Sequence, residues 1–211
     1  MYKNCVKRVI DIVLSGLGIV VLTPIWIVLG VAIKVDDPGP VFFRQKRIAK
    51  DKIEEKQYFQ IFKYRSMKMS TPHDTPTHLL ENPEQYITKV GGFLRKTSLD
   101  ELPQIFNIFM GEMSFIGPRP ALWNQDDLYD ERAKYGANAV VPGLTGWAQI
   151  NGRDELEIGV KARLDGEYVE KMCFLFDCKC FFGTILSVLK SDGVVEGGTG
   201  KTKKKMENNS I

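Results

Sequence analysis

The stretch IVLSGLGIVVLTPIWIVLGVAI, residues 12–33, decides how the rest of the chain is read. Its 22 residues carry no charged side chain, and Asp11 and Lys34 bound it. As one unbroken helix it would reach ~33 Å, about the hydrocarbon thickness of a bilayer. It is too long for the apolar region of a signal peptide, and no small-residue cleavage site follows. Near its centre stands Pro24, which lacks a backbone N–H and clashes with the preceding turn, so a helix must bend there. Thr23 can return its hydroxyl to a freed carbonyl, which makes such a break tolerable in lipid. Lys3, Lys7 and Arg8 precede the block, while Lys34, Arg44, Lys46, Arg47, Lys50 and Lys52 follow it. The positive-inside rule therefore puts both flanks on the cytoplasmic face. A segment with both ends on one face turns back, so the preferred reading of residues 1–36 is a re-entrant helix–break–helix, with halves of ~11–12 residues or ~17 Å. A spanning helix merely kinked at Pro24 is the alternative.

Working outward, the 211 residues hold 29 Lys and Arg against 26 Asp and Glu, a formal charge of +3. That is too mild to make nucleic acid the main partner. Hydrophobic residues at 44% and charged residues at 26% are ordinary for a globular protein and exclude disorder, collagen and a multi-span bundle. One compact domain over 37–195 fits the length. After the turn-rich Asp36-Asp37-Pro38-Gly39-Pro40, the aromatic and β-branched runs VFFRQKRI (41–48) and YFQIFKYRSM (58–67) flank a charged segment, the pattern of a β-hairpin. Residues 70–86 contain Pro72, Pro76 and Pro83 and read as a surface loop followed by a short helix. Helices are expected over 128–135, 155–168 and 174–189, the last too short and too charged to span and therefore interfacial or core-packed. The Gly-punctuated segment 141–153 reads as a loop. The basic tail 196–211 suits anionic headgroups through Lys201, Lys203, Lys204 and Lys205, although most such tails are simply solvated. Together these elements predict an α+β protein: an N-terminal re-entrant segment, a β-hairpin and interfacial amphipathic helices around a small globular domain.

Several features carry no chemistry. Cys5, Cys173, Cys178 and Cys180 are too few and too uneven for a disulfide scaffold, and the lone C-x-C lacks the second pair of a zinc site. His73 and His78 lie in a Thr/Pro-rich loop. GGTGKT at 197–202 resembles a phosphate loop, but the required first glycine would be Val195. The Asn208-Asn209-Ser210 sequon would not meet glycosylation machinery in the cytoplasm.

Thr97-Ser98-Leu99-Asp100-Glu101-Leu102-Pro103 is different. Ser98 and Glu101 have capping-box spacing, so the plain reading is a helix start. The same position keeps a carboxylate ionised, and two adjacent carboxylates can bind Mg²⁺ or attack phosphorus. Phosphate chemistry also needs cations to hold the leaving group and the equatorial oxygens. Lys63 and Arg65 alternate on the second strand, Arg95 precedes the dyad, Arg119 is fixed between two prolines, and Arg153 closes the glycine-rich segment. Each alone is more often a surface cation than a ligand.

The ordered set of an apolar segment with a central Thr-Pro, FKYRSMK (62–68), RKTSLDELPQIFNIFMGEMSFIGPRP (95–120) and PGLTGWAQINGR (142–153) resembles the bacterial sugar transferase family of monotopic phosphoglycosyl transferases. The likeness covers residues 3–195 and is closest to minimal members that start capsule, exopolysaccharide or glycoprotein glycan assembly. The resemblance implies transfer of a sugar-1-phosphate, expected to carry an N-acetylated hexosamine, from a UDP-sugar to undecaprenyl phosphate with release of UMP. It implies Asp100 as nucleophile, Glu101 as a residue that places metal or relays a proton, and magnesium held by the pair. Lys63, Arg65, Arg95, Arg119, Arg153 and Gln149 become expected substrate contacts, and Lys7 and Arg8 expected ligands of the lipid head. Thr23 and Pro24 become the helix break of a protein in the bacterial inner membrane, with its site on the cytoplasmic face. Partners then include the membrane, downstream glycosyltransferases and a homodimer mate. Two departures stand out: Thr23 replaces the usual Ser, keeping the hydroxyl, and Val141 replaces an Arg common in relatives.

A CDP-alcohol-type phosphotransferase would need spaced aspartates in several spanning helices, which are absent from this sequence. A non-catalytic membrane-tethered scaffold that recruits glycan-assembly enzymes would not need the Asp100-Glu101 pair.

Overall fold

The computed structural model describes residues 2–52, 55–71, 82–152 and 156–189. The expectations for His73, His78, Arg153 and the tail 196–211 fall outside those residues. Within them the protein is mixed α+β, with eight α-helices and two small sheets.

A π-helical turn, Tyr2–Val6, leads into α1 (Lys7–Val21), which is followed by α2 (Thr23–Asp36). The axes bend by 61° at Leu22. Pro24 lies in the first turn of α2, where a missing N–H has no intrahelical partner to lose. The Ile19 carbonyl at the bend accepts the Thr23 hydroxyl at 3.0 Å and the Trp26 indole N–H at 3.3 Å. Among the described residues no single helix is long and apolar enough to cross a membrane.

The polarity of α1 is inverted relative to a soluble helix. Val13, Leu17, Val20 and Val21 are more than half exposed, while Asp11 and Ser15 are buried. Asp11 Oδ1 accepts the Phe115 N–H at 3.1 Å, and Ser15 donates to the Asp11 carbonyl. Ile27, Val28 and Val31 extend the exposed apolar surface along α2. An uninterrupted surface of this kind is the mark of an interaction with lipid or protein.

Strands β1 (Phe42–Ile48) and β2 (Tyr58–Tyr64) form an antiparallel hairpin in the register Phe42↔Tyr64 to Ile48↔Tyr58. Phe59 and Ile61 point inward onto Ile108 and Met113. A 3-10 turn (Pro83–Tyr86) and α3 (Lys89–Lys96) follow, then a second 3-10 turn (Leu99–Glu101) and α4 (Gln104–Met110). Next come β3 (Ser114–Ile116), α5 (Asp126–Ala133), β4 (Gly143–Thr145), α6 (Trp147–Ile150), α7 (Ile158–Lys171) and α8 (Phe174–Leu189).

Two expectations change. The segment expected as a loop over 141–153 contains β4 and α6, because β4 pairs in parallel with the remote β3, Ser114 opposite Gly143. The expected helices 128–135 and 155–168 are displaced to Asp126–Ala133 and Ile158–Lys171. Leu128 and Ala162 set those positions by packing together with Ile48 and Ala121. Helix α8 leaves Phe174, Leu175, Phe182 and Leu186 more than half exposed.

Candidate active site

Between α3 and the next turn the chain reverses at Ser98, whose φ of 56° and ψ of 18° are left-handed. For a residue with a Cβ this conformation costs on the order of 1 kcal/mol, which the surrounding packing must offset. The capping box expected of Ser98 and Glu101 does not form: Ser98 makes no side-chain cap, and the Glu101 carboxylate points elsewhere. Leu99 and Leu102 explain the turn. Both pack on the cluster of Leu29 and Ile33 from α2 with Tyr64 and Leu94, so the two residues between them are displayed from the root of the apolar arm. Asp100 is 5% exposed.

Glu101 is gripped by two cations. Lys63 donates to Oε1 at 2.9 Å, while Arg119 donates through Nη2 to Oε1 at 2.5 Å and through Nη1 to Oε2 at 3.2 Å. The strand's period of two puts Lys63 on the same face as the buried Phe59 and Ile61, one step nearer the turn. Burial pushes the Glu101 carboxyl up, but Arg119 and then Lys63 outweigh it and hold the group far below the usual carboxylate range. So stabilised, Glu101 is held ionised as a clamp between two cations.

The remaining expected contacts divide. Arg95 lies at the edge of this turn, its Nε donating to Ser66 Oγ at 2.9 Å. Arg65 does not face Glu101: Nε donates to the Pro40 carbonyl, and Nη1 and Nη2 go to the Asp37 carboxylate and carbonyl. It ties the end of β2 to the exit from α2. Gln149 donates to the Leu144 carbonyl at 2.9 Å, and its Oε1 is buried without a hydrogen-bond partner. Lys7 and Arg8, expected at a lipid head, are engaged by protein. Lys7 pairs with Asp177 at 2.6 Å, and Arg8 caps α4 by donating to the carbonyls of Ile108 and Phe109 at 2.6 and 2.7 Å.

Sequence reasoning missed Asn107, Asp177 and the pair Arg132–Asp165. Asn107 is fully buried and stitches α4 to β2, accepting the Phe62 N–H at 2.9 Å and donating to the Gln60 carbonyl at 2.8 Å. Its signal was a lone amide inside the apolar run QIFNIFM. Asp177 accepts from Tyr2, Lys7 and Tyr168, so it ties the N-terminal turn to α7 and α8.

Magnesium takes oxygen donors, and few are open here. Glu101 already accepts three hydrogen bonds, and the described residues contain no group of three or more His, Cys, Asp and Glu side chains able to hold a metal. Magnesium often takes one or two carboxylates and completes its shell with phosphate oxygens and water. In that form the single carboxylate of Asp100 would suffice, with a bound diphosphate completing the shell.

A buried carboxylate, Asp100, thus lies beside a cation-clamped one, Glu101, at the root of an apolar helix pair. The family model for bacterial sugar transferases matches residues 2–191, and the chain belongs to that family. It is 38% identical over 190 residues to the UDP-glucose:undecaprenyl-phosphate glucose-1-phosphate transferase of Escherichia coli K12, covering 87% of this chain and 40% of that one. It therefore spans about two fifths of that relative's length. It is 33% identical to the exopolysaccharide production protein ExoY of Sinorhizobium fredii, covering 89% of this chain and 87% of that one. With the uncharacterized sugar transferase EpsL of Bacillus subtilis it shares 36% identity over 89% of each chain.

Proposed function

We propose that the protein transfers a sugar-1-phosphate from a UDP-sugar to undecaprenyl phosphate, releasing UMP. One observation carries this reading: Asp100 is buried beside a Glu101 that two cations hold ionised, on a strained turn packed against the apolar arm. The names of the relatives supply the substrate classes.

In the first half-reaction an Asp100 oxygen attacks the sugar-bearing phosphorus and the bond from that phosphorus to the UMP oxygen breaks. UMP leaves with the electron pair, and the sugar phosphate stays on Asp100 as an acyl phosphate. In the second, an oxygen of undecaprenyl phosphate attacks the same phosphorus and frees the carboxylate. Arg119 and Lys63, fixed by Glu101, present positive charge where the equatorial oxygens gain negative charge, and Arg95 lies at the edge of the same turn. Magnesium, held by Asp100 and the donor's phosphates, would add charge neutralisation at the leaving group.

The acceptor is a lipid, and we assign the bent helix pair to one leaflet. Arms of 15 and 14 residues meeting at 61° make a wedge whose apex lies about 11 Å below the line joining its ends, less than half the hydrocarbon core. Both ends are tied to the same body: Lys7 to Asp177 at the start, and Asp36 to the Val90 N–H at 2.7 Å at the finish. Exposed Phe174, Leu175, Phe182 and Leu186 on α8 suit the headgroup boundary. The site would then face the cytoplasmic side of the inner membrane.

The test is a panel of UDP-sugars with undecaprenyl phosphate and Mg²⁺, read as UMP. The panel includes UDP-glucose, the sugar in the relatives' names, and N-acetylated hexosamines, the class implied by the resemblance. Asp100→Asn should abolish release, and intact mass of protein with donor alone should show a phosphosugar adduct. Unchanged turnover in Asp100→Asn would remove Asp100 from its role, whereas no UMP release by the parent with any donor would favour the scaffold.

A further inference from the structure

We propose that Arg132, clamped by Asp165, is a positioning residue that holds the Arg119 turn in register with Glu101. The proposal rests on the reading above, in which Arg119 serves the phosphates.

The turn Pro118-Arg119-Pro120 offers few handles. Its prolines have no N–H and a fixed φ, so the backbone is held largely through its carbonyls. Each of the three carbonyls is taken by a donor from a different part of the fold. Pro118 accepts the Gly143 N–H at 2.8 Å, Arg119 accepts Arg132 Nη2 at 3.0 Å, and Pro120 accepts Arg47 Nη1 at 3.0 Å. Pro118 and Pro120 are buried, beside a small cavity also lined by Tyr129, Arg132 and Pro142. Hydrogen bonds to the three carbonyls add direction to that packing.

Arg132 is 4% exposed and Asp165 1%. Arg132 Nε and Nη2 reach Asp165 Oδ2 at 2.8 and 2.6 Å, so the guanidinium is fixed from α7 while Nη2 also bonds the Arg119 carbonyl. Gly166 permits this approach: a Cβ there would lie 2.4 Å from Tyr135 Cβ and push α7 away from the segment after α5. A buried ion pair adds little net stability after the cost of desolvating both charges. Fixed geometry at the Arg119 carbonyl is the physical return on that burial.

Arg132→Lys keeps the charge and loses the fork; Asp165→Asn keeps the shape and loses the clamp. The first readout needs no turnover: phenylglyoxal modification of Arg119, mapped by mass spectrometry, should be about fivefold faster in either variant, with exposed Arg44 unchanged. The second is a double-mutant cycle on kcat/KM for UMP release. Arg132→Lys should cost about tenfold in the parent and less than about twofold in an Arg119→Ala background. Equal loss in both backgrounds, or an unchanged Arg119 modification rate in a folded variant, overturns the proposal. Absence of UMP release by the parent protein counts against the functional reading alone, because the modification readout still decides this one.

Discussion

Arg119 holds both carboxylate oxygens of Glu101, Nη2 lying 2.5 Å from Oε1 and Nη1 3.2 Å from Oε2. A planar fork makes this pair directional, and a lysine ammonium cannot reproduce it. Arg119→Lys is therefore expected to lower UMP release at least about tenfold while the melting temperature stays within a few degrees. Steady-state rates beside a thermal melt check this. Parent-like rates would remove the fork from the mechanism.

Glu101 also has a pH signature. Its carboxyl sits well below the ordinary value of 4.5, since Arg119 and Lys63 outweigh burial. A carboxyl depressed on folding adds stability that is fully present above its unfolded value and is lost as the pH falls through the folded one. Glu101→Gln is expected to cost about 2 kcal/mol near neutral pH by leaving Lys63 and Arg119 without their anion. The deficit should hold down to about pH 5 and shrink below about pH 4.5. Thermal melts of both proteins across that window test it; a deficit that widens in acid would contradict the assignment.

Gly91 supports the site through backbone contact. A Cβ there would lie 2.0 Å from the Ser66 carbonyl oxygen, so α3 can approach the end of β2 only through glycine. Arg95 meets Ser66 Oγ across the same approach. Gly91→Ala is expected to lower the melting temperature clearly, about 2 kcal/mol or more, because backbone must yield. A melt indistinguishable from the parent would show that α3 lies farther from β2.

The four cysteines provide a test of packing. Burial, reinforced by Asp177, pushes the Cys180 thiol up to about 12, and the residue is fully buried; Cys5 and Cys173 are exposed. The thiolate is the nucleophile, so iodoacetamide at about pH 8 should modify Cys5 and Cys173 in the folded protein and Cys180 only after denaturation. Peptide mapping reads the order. Cys180 of α8 packs with Tyr168 and Met172, so its early labelling would mean that this contact is open.

What could be read in advance follows a physical division. The hairpin and α8 were legible because alternation and an apolar run are local signals. Asp100, Glu101, Lys63 and Arg119 were singled out by charge type and neighbouring prolines, and the fold brings the last three together. Arg65 was expected to continue the strand's alternation, but β2 stops at Tyr64 and Arg65 turns to Asp37. Lys7, Arg132 and Asp165 found partners remote in sequence, which no local window holds. β4 was missed for the same reason, since its partner β3 lies in another segment.

The helix pair offers a last prediction, and it separates the wedge from a spanning helix. A spanning segment would place Lys3 and the hairpin on opposite faces of the membrane, yet Lys7 and Asp36 at its two ends are both bonded to one domain. Straightening the 61° bend would drive those ends apart until one of the bonds breaks. Thr23→Ala combined with Pro24→Ala removes both the hydroxyl on the Ile19 carbonyl and the missing N–H, so α1 and α2 are free to fuse. That double variant is expected to lose UMP release at least about tenfold through misplacement of the Leu99 and Leu102 platform on α2. In the parent protein, tags at the N-terminus and in the connection between β1 and β2 should both resist a membrane-impermeant reagent in intact cells and react after permeabilisation. Labelling of the second tag alone from outside would put the helix pair across the bilayer and end the one-leaflet assignment.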